Sequence, residues 1–105
     1  MNNFIFIYIT NPTKTEAKNI ARHLLNKKLI ACANIYSGVK SLYRWQGSIA
    51  EETEFVLILK TIDKNFGAVK KEVEKIHSYK IPCIVKIPAS SNKKYFDWLR
   101  SQVNI

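Results

Sequence analysis

Two cysteines and two histidines are the softest ligands the chain offers, and their placement bounds its metal chemistry. Cys32 sits in Ala31-Cys32-Ala33-Asn34. Side chains alternate along a strand, so an extended segment puts Cys32 and Asn34 on one face. A thiolate there suits Cu(I) or Zn. The plainer reading is a small buried hydrophobe, which is what most free cysteines are. Cys83 follows Pro82 far downstream, and two such cysteines are too few and too distant for a disulfide scaffold. His77 ends a helical pattern, where an imidazolium complements the helix dipole. His23 falls on the surface of an earlier helix and has no assigned role. Glu51, Glu52 and Glu54 cluster, and read as cross-strand charge balance for Lys40 and Arg44. Trp45 stands beside the Gln46-Gly47 turn, and an aromatic at a turn tip marks an interface more often than a solvated loop. There is no GxSxG, P-loop, HExxH or CxxC, and Thr10-Asn11-Pro12-Thr13 has no glycine with which to cradle a phosphate. The expectation is a protein that is not an enzyme.

The elements that must position these residues are legible from periodicity. Phe4-Ile5-Phe6-Ile7-Tyr8-Ile9 is β-branched or aromatic throughout, and apolar at both parities, so it reads as a strand buried on two faces. Thr13 and Glu16 have capping-box spacing, and Ala17, Ile20, Ala21, Leu24 and Leu25 then mark one helical face. Residues 31–36 and 39–45 read as one strand interrupted at Ser37-Gly38, returning after Gln46-Gly47 as a strand over about 49–61. Asp63 is placed to cap a second helix with Phe66, Val69, Val73 and Ile76 as its stripe. Residues 83–87 give a fourth strand, and Tyr95, Phe96, Trp98 and Leu99 a short C-terminal helix. The order βαββαβ predicts an α+β fold, the ferredoxin-like sandwich with strand order 4-1-3-2, here with a long central hairpin. Its two crossover helices cover one sheet face only. The first and third strands are apolar on both, so the other face requires a cover, most economically another copy of the chain.

With 105 residues, 47% hydrophobic and 24% charged, the chain is one globular domain spanning 1–105. No apolar run is long enough to cross a bilayer. Its start lacks a basic n-region and cleavage site, so a cytoplasmic location is expected, a removed presequence aside. Seventeen basic against eight acidic residues give +9. That excess raises the odds of an acidic partner, yet it is spread evenly with no basic run longer than a pair. A nucleic-acid role is not expected. Phe4, Phe6 and Tyr8 only loosely echo an RNA-binding sheet, and no RNP1 motif follows.

Gly38-Val39-Lys40-Ser41-Leu42-Tyr43-Arg44-Trp45-Gln46-Gly47-Ser48-Ile49, with Glu54 and Leu59-Lys60-Thr61 beyond it, resembles the central block of the CutA divalent-ion-tolerance family. Leu29 to Ile35 resembles that family's cysteine-bearing second strand, and His77-Ser78-Tyr79-Lys80-Ile81-Pro82 its His-x-Tyr-x-x-Pro segment. The resemblance implies a ferredoxin-like homotrimer similar to PII signalling proteins, associated with copper or other divalent metal ions. It matches Cys32 to a proposed copper ligand, and His77 to a histidine beside the cleft between subunits. Trp45, Lys60 and Tyr79 match other positions near that cleft. Ser78 departs from the usual proline, and Cys83 from the usual acidic residue, which removes a candidate carboxylate and adds a sulfur. The expected metal set is therefore Cys32, His77 and Cys83, with Asn34, Trp45, Lys60 and Tyr79 as cleft residues. The alternative is a PII-like sensor or scaffold binding a small anionic metabolite or a protein in those clefts. The net charge and Lys60 favour the anion; Cys32 and His77 favour the metal.

Overall fold

Unbroken β-branched and aromatic character makes β1 (Phe4–Asn11) the natural centre of a sheet. The computed structural model, which describes residues 3–104, places it there. It is followed by α1 (Lys14–Asn26), β2 (Cys32–Trp45), β3 (Ser48–Ile62), a 3-10 turn (Asp63–Asn65), α2 (Phe66–Ile76), β4 (Ile84–Pro88) and α3 (Lys93–Ser101). The four strands form one antiparallel sheet in the order β2-β3-β1-β4, the expected 4-1-3-2.

Each face follows from strand parity. Ile5, Ile7 and Ile9 of β1 and Leu57 and Leu59 of β3 point to one side. There they are buried with Ala17, Ile20, Ala21 and Leu24 of α1 and Val69 and Val73 of α2. Phe4, Phe6, Tyr8 and Thr10 point to the other side, with Val56, Ile58, Lys60 and Ile62 opposite them. The expectation that nothing in the chain covers this second face needs correction. α3 lies across one end of it, burying Phe4 and Ile62 with Leu99 and Val103. Phe4 under that helix, packed edge-on to Phe6 at 5.2 Å, forms no stacking platform. The rest of the face is open, with Tyr36, Val85 and Ile87 exposed.

Local chemistry explains where the helices begin and end. Thr13 Oγ1 accepts from the Glu16 amide at 3.1 Å, half of the expected capping box. The Glu16 carboxylate does not return to Thr13 but accepts from Ser78 N and Oγ, each at 3.0 Å. α1 closes with a Schellman pair, Leu29 N to Leu24 O and Lys28 N to Leu25 O, both 3.0 Å. Lys28 takes φ +58°, a position that glycine normally fills. Leu25 and Ile76, expected on the buried stripes, are exposed. Asp63 is not a helix cap: its carboxylate accepts from Lys86 Nζ at 2.9 Å. The turn it opens lets Asn65 donate to Leu29 O and Asn104 O, both at 3.2 Å. His23 does have a role, since its Nε2 meets Glu72 Oε1 at 2.8 Å and ties α1 to α2.

The hairpin carries the feature that builds the site. Tyr36 pairs with Val56, but the next pair is Val39 with Glu54, so β2 has one residue more than β3 between them. This bulge is centred on Ser37-Gly38, with Gly38 at φ +73°. It reverses the parity of β2. Beyond it the odd residues Val39, Ser41, Tyr43 and Trp45 join Cys32, Asn34 and Tyr36 on the open face.

Candidate functional site

The open face holds Cys32, Asn34, Trp45, Glu54 and Lys60, but at two separate ends. At the α3 end, Cys32 pairs across the strands with Lys60. Lys60 Nζ stands 5.6 Å from the centre of the Tyr95 ring, and Cys32 neighbours the same phenol. Burial, and then the neighbouring Cys32, pushes the Tyr95 phenol above its usual range. Lys60 is thus engaged by an aromatic ring. Asn34 lies one same-face step along β2 from Cys32, opposite Ile58.

At the hairpin end a recess of about 680 Å³ is lined by Tyr8, Val39, Tyr43, Trp45, Glu54 and Tyr79, among others that include Glu52, Ile81 and Cys83. The bulge delivers Tyr43 to the same side as Glu52, and the Tyr43 hydroxyl donates to Glu52 Oε1. Tyr79 reaches in from the segment between α2 and β4, and its hydroxyl donates to Glu54 Oε2 at 2.6 Å. Glu54 is only 6% exposed. Burial, reinforced by the Glu54 carboxylate, raises the Tyr79 phenol well above the ordinary tyrosine range. The same two causes push the Cys83 thiol up, so Cys83 is held protonated near neutral pH. The spacing of the glutamates predicts charge balance with Lys40 and Arg44. Instead Lys40 Nζ donates to Thr53 Oγ1 at 2.7 Å, and Glu52 and Glu54 serve two tyrosines.

His77 is the clamp that aims Tyr79. Its side chain is fully buried. Nε2 lies 2.8 Å from the Thr10 carbonyl oxygen, which can only accept, so Nε2 carries the proton. Nδ1 lies 3.0 Å from the Tyr79 amide, which can only donate, so Nδ1 carries the lone pair. The ring is therefore the neutral Nε2–H tautomer, not the imidazolium expected at a helix end. Both nitrogens are spent on holding the 77–79 segment against the end of β1.

The structure thus brings together Trp45, Tyr79 and Cys83, with His77 behind them. Cys32 and Lys60 lie apart at the other end of the face. Cys32 begins the edge strand β2, and Cys83 immediately precedes the opposite edge strand β4. Three strand spacings separate these edges, roughly 14 Å. Both cysteines are free. Among the described residues no group of three or more His, Cys, Asp or Glu side chains could hold a metal ion. Within one chain the donors Cys32, His77 and Cys83 do not fit a metal centre.

Comparison with known proteins decides the family. The model of the CutA1 divalent ion tolerance protein matches residues 5–102. The chain belongs to the CutA1 family. The divalent-cation tolerance protein CutA of Archaeoglobus fulgidus is 46% identical over 99 residues, covering 93% of this chain and 96% of that protein. A CutA1 structure from Ehrlichia chaffeensis superposes with a TM-score of 0.94 at 36% identity, covering 100% of this chain and 99% of that one. These CutA1 likenesses make the fold ferredoxin-like, as the element order predicted. A chloroplastic CutA of Oryza sativa is 35% identical over 92% of this chain, which spans 55% of that longer protein. The A. fulgidus structure is described as periplasmic. CutA1 relatives therefore occupy several compartments; in this CutA1 chain no described helix is long and apolar enough to cross a membrane. The family name denotes tolerance of divalent cations and identifies no reaction.

Proposed function

We propose that the protein serves divalent-cation tolerance as a non-enzymatic homotrimer, in which copies of the chain cover one another's open sheet faces. The observation that carries this reading is the half-covered face itself: Tyr36, Val85 and Ile87 stand exposed beside the end that α3 buries. Apolar side chains left exposed on a sheet face beside its buried end are a usual mark of an interface. Binding of copper or another divalent ion belongs to the same reading, with Cys32 as the softest donor. Because its partners are not gathered within one chain, any further ligands come from a neighbouring copy or from rearrangement of the His77 and Cys83 region. Metal binding then couples to assembly. Two free cysteines agree with a reducing, cytoplasmic setting. The anionic-metabolite alternative is disfavoured at the recess, where Glu52 and Glu54 would repel an anion, and at Lys60, which the Tyr95 ring already engages.

The test is native mass spectrometry of protein purified without added metal, followed by a Cu(I) competition titration on wild type, Cys32→Ser and Cys83→Ser. The expected result is a trimer whose copper affinity falls in Cys32→Ser while assembly is kept. A monomer at micromolar concentration removes the assembly reading. Undiminished affinity in Cys32→Ser removes the metal reading.

A further inference from the structure

We propose that the flank of α1 carrying Lys14, Lys18 and Arg22 is a docking surface for an acidic, helical segment of a partner protein. The three residues stand four apart and so share one side of the helix, about 6 Å from one to the next. All three are exposed, and among the described residues none forms an ion pair. Elsewhere cations are matched: Lys27 and Lys75 with Glu72, Lys86 with Asp63, and Lys93 with Asp97. The stripe works against the helix that carries it. Like charges four residues apart repel, and no acidic residue stands three or four positions from any of the three. Lys14 is also the first residue of α1, at the positive end of the helix dipole. Glu16 is the single acid of α1 and does not offset them. Its carboxylate is turned to Ser78 and stands 3.4 Å from His77 Nδ1. Locally unfavourable choices with no compensation inside the fold are characteristic of functional surfaces.

Charge selects an anionic partner, and the make-up of the stripe selects its class. Leu25 lies two turns beyond Lys18 on the same flank and is 39% exposed. It offers an apolar contact for which a phosphate chain has no counterpart. α1 has no Phe, Tyr or Trp on which a base could stack. A partner helix with carboxylates at every fourth position repeats at the same spacing of about 6 Å. It can also carry an apolar side chain to meet Leu25, so one partner satisfies both features. The other side of α1 packs Ala17, Ile20, Ala21 and Leu24 against the sheet. The helix therefore lies on the opposite side of the sheet from the open face that the proposed assembly covers, and the docking surface does not rest on that assembly.

The experiment is fluorescence anisotropy of the purified protein with a labelled helical peptide that has glutamate at every fourth position and leucine at each end. Saturable binding is expected, weakened by salt and absent for the peptide in which glutamine replaces glutamate. Affinity should fall about tenfold or more in the triple variant Lys14→Gln, Lys18→Gln, Arg22→Gln. It should fall about threefold in Leu25→Ala. The triple variant Lys64→Gln, Lys70→Gln, Lys71→Gln removes the same charge from the 3-10 turn and α2, and should keep wild-type affinity. The α1 triple variant should also melt at a higher temperature than wild type, because it relieves the repulsion along the helix. Absence of saturable binding overturns the inference, as does an equal loss of affinity in both triple variants. Binding of a duplex DNA oligonucleotide as tight as that of the peptide, and unaffected by Leu25→Ala, overturns it by making the stripe a general polyanion contact. A lower melting temperature in the α1 triple variant assigns the three cations to the framework and also overturns it.

Discussion

At the scale of single residues, Tyr79 shows how one side chain joins framework and site. Its amide fixes the His77 tautomer, and its hydroxyl fixes Glu54. Its raised ionisation has a defined sign for stability. The folded state prefers the neutral phenol, so the contribution is complete below the unfolded value near 10. It is lost as pH rises from there through the folded value. Spectrophotometric titration is expected to show a tyrosine that resists ionisation in the folded protein, and thermal stability that declines above about pH 10. In Glu54→Gln the phenol should titrate earlier, because the carboxylate that opposed its ionisation is gone. An unchanged titration in that variant would mean that burial alone sets the shift.

At the scale of elements, two left-handed backbone positions make opposite predictions. Lys28 pays for φ +58° in the Schellman turn that closes α1. Lys28→Gly is expected to raise stability by about 0.5–1 kcal/mol, since glycine adopts that conformation without a Cβ penalty. Gly38 has φ +73°, and a Cβ built there meets nothing within 4 Å. Gly38→Ala should therefore cost about 1–2 kcal/mol through backbone conformation alone. Urea unfolding of both variants measures the two signs. Shortening the bulge by one residue has a larger consequence, because every side chain from Val39 to Trp45 would change face. Tyr43 would then no longer reach Glu52.

At the scale of the whole molecule, the open sheet face separates a monomer from an assembly. Val85, on the edge strand β4 opposite Tyr8, is 46% exposed on this face. A carboxylate at this position would be solvated in a monomer but buried without a partner between copies. Val85→Glu is expected to leave the far-ultraviolet circular dichroism unchanged while converting the proposed trimer to monomer in sedimentation velocity. A variant that remains trimeric would show that assembly uses another surface.

The sequence by itself determined the strands, the two crossover helices, the sheet order and the shared face of Cys32 and Asn34. These depend on residue-to-residue periodicity and on chain connectivity, which local composition expresses directly. It also marked Ser37-Gly38 as an interruption and Trp45 as a tip residue. Only the tertiary structure decided what those features do. The interruption is a bulge that adds a single residue, and a single residue reverses a strand's faces; whether β3 carried a matching insertion was not written in β2. His77 looked like a helix-end cation until Thr10 and Tyr79, remote and local neighbours, consumed both ring nitrogens. Glu52 and Glu54 looked like charge balance because Lys40 and Arg44 lie on the facing strand of the hairpin. Their tyrosine partners come from across the hairpin and from beyond α2, and such pairings are fixed only when the sheet closes.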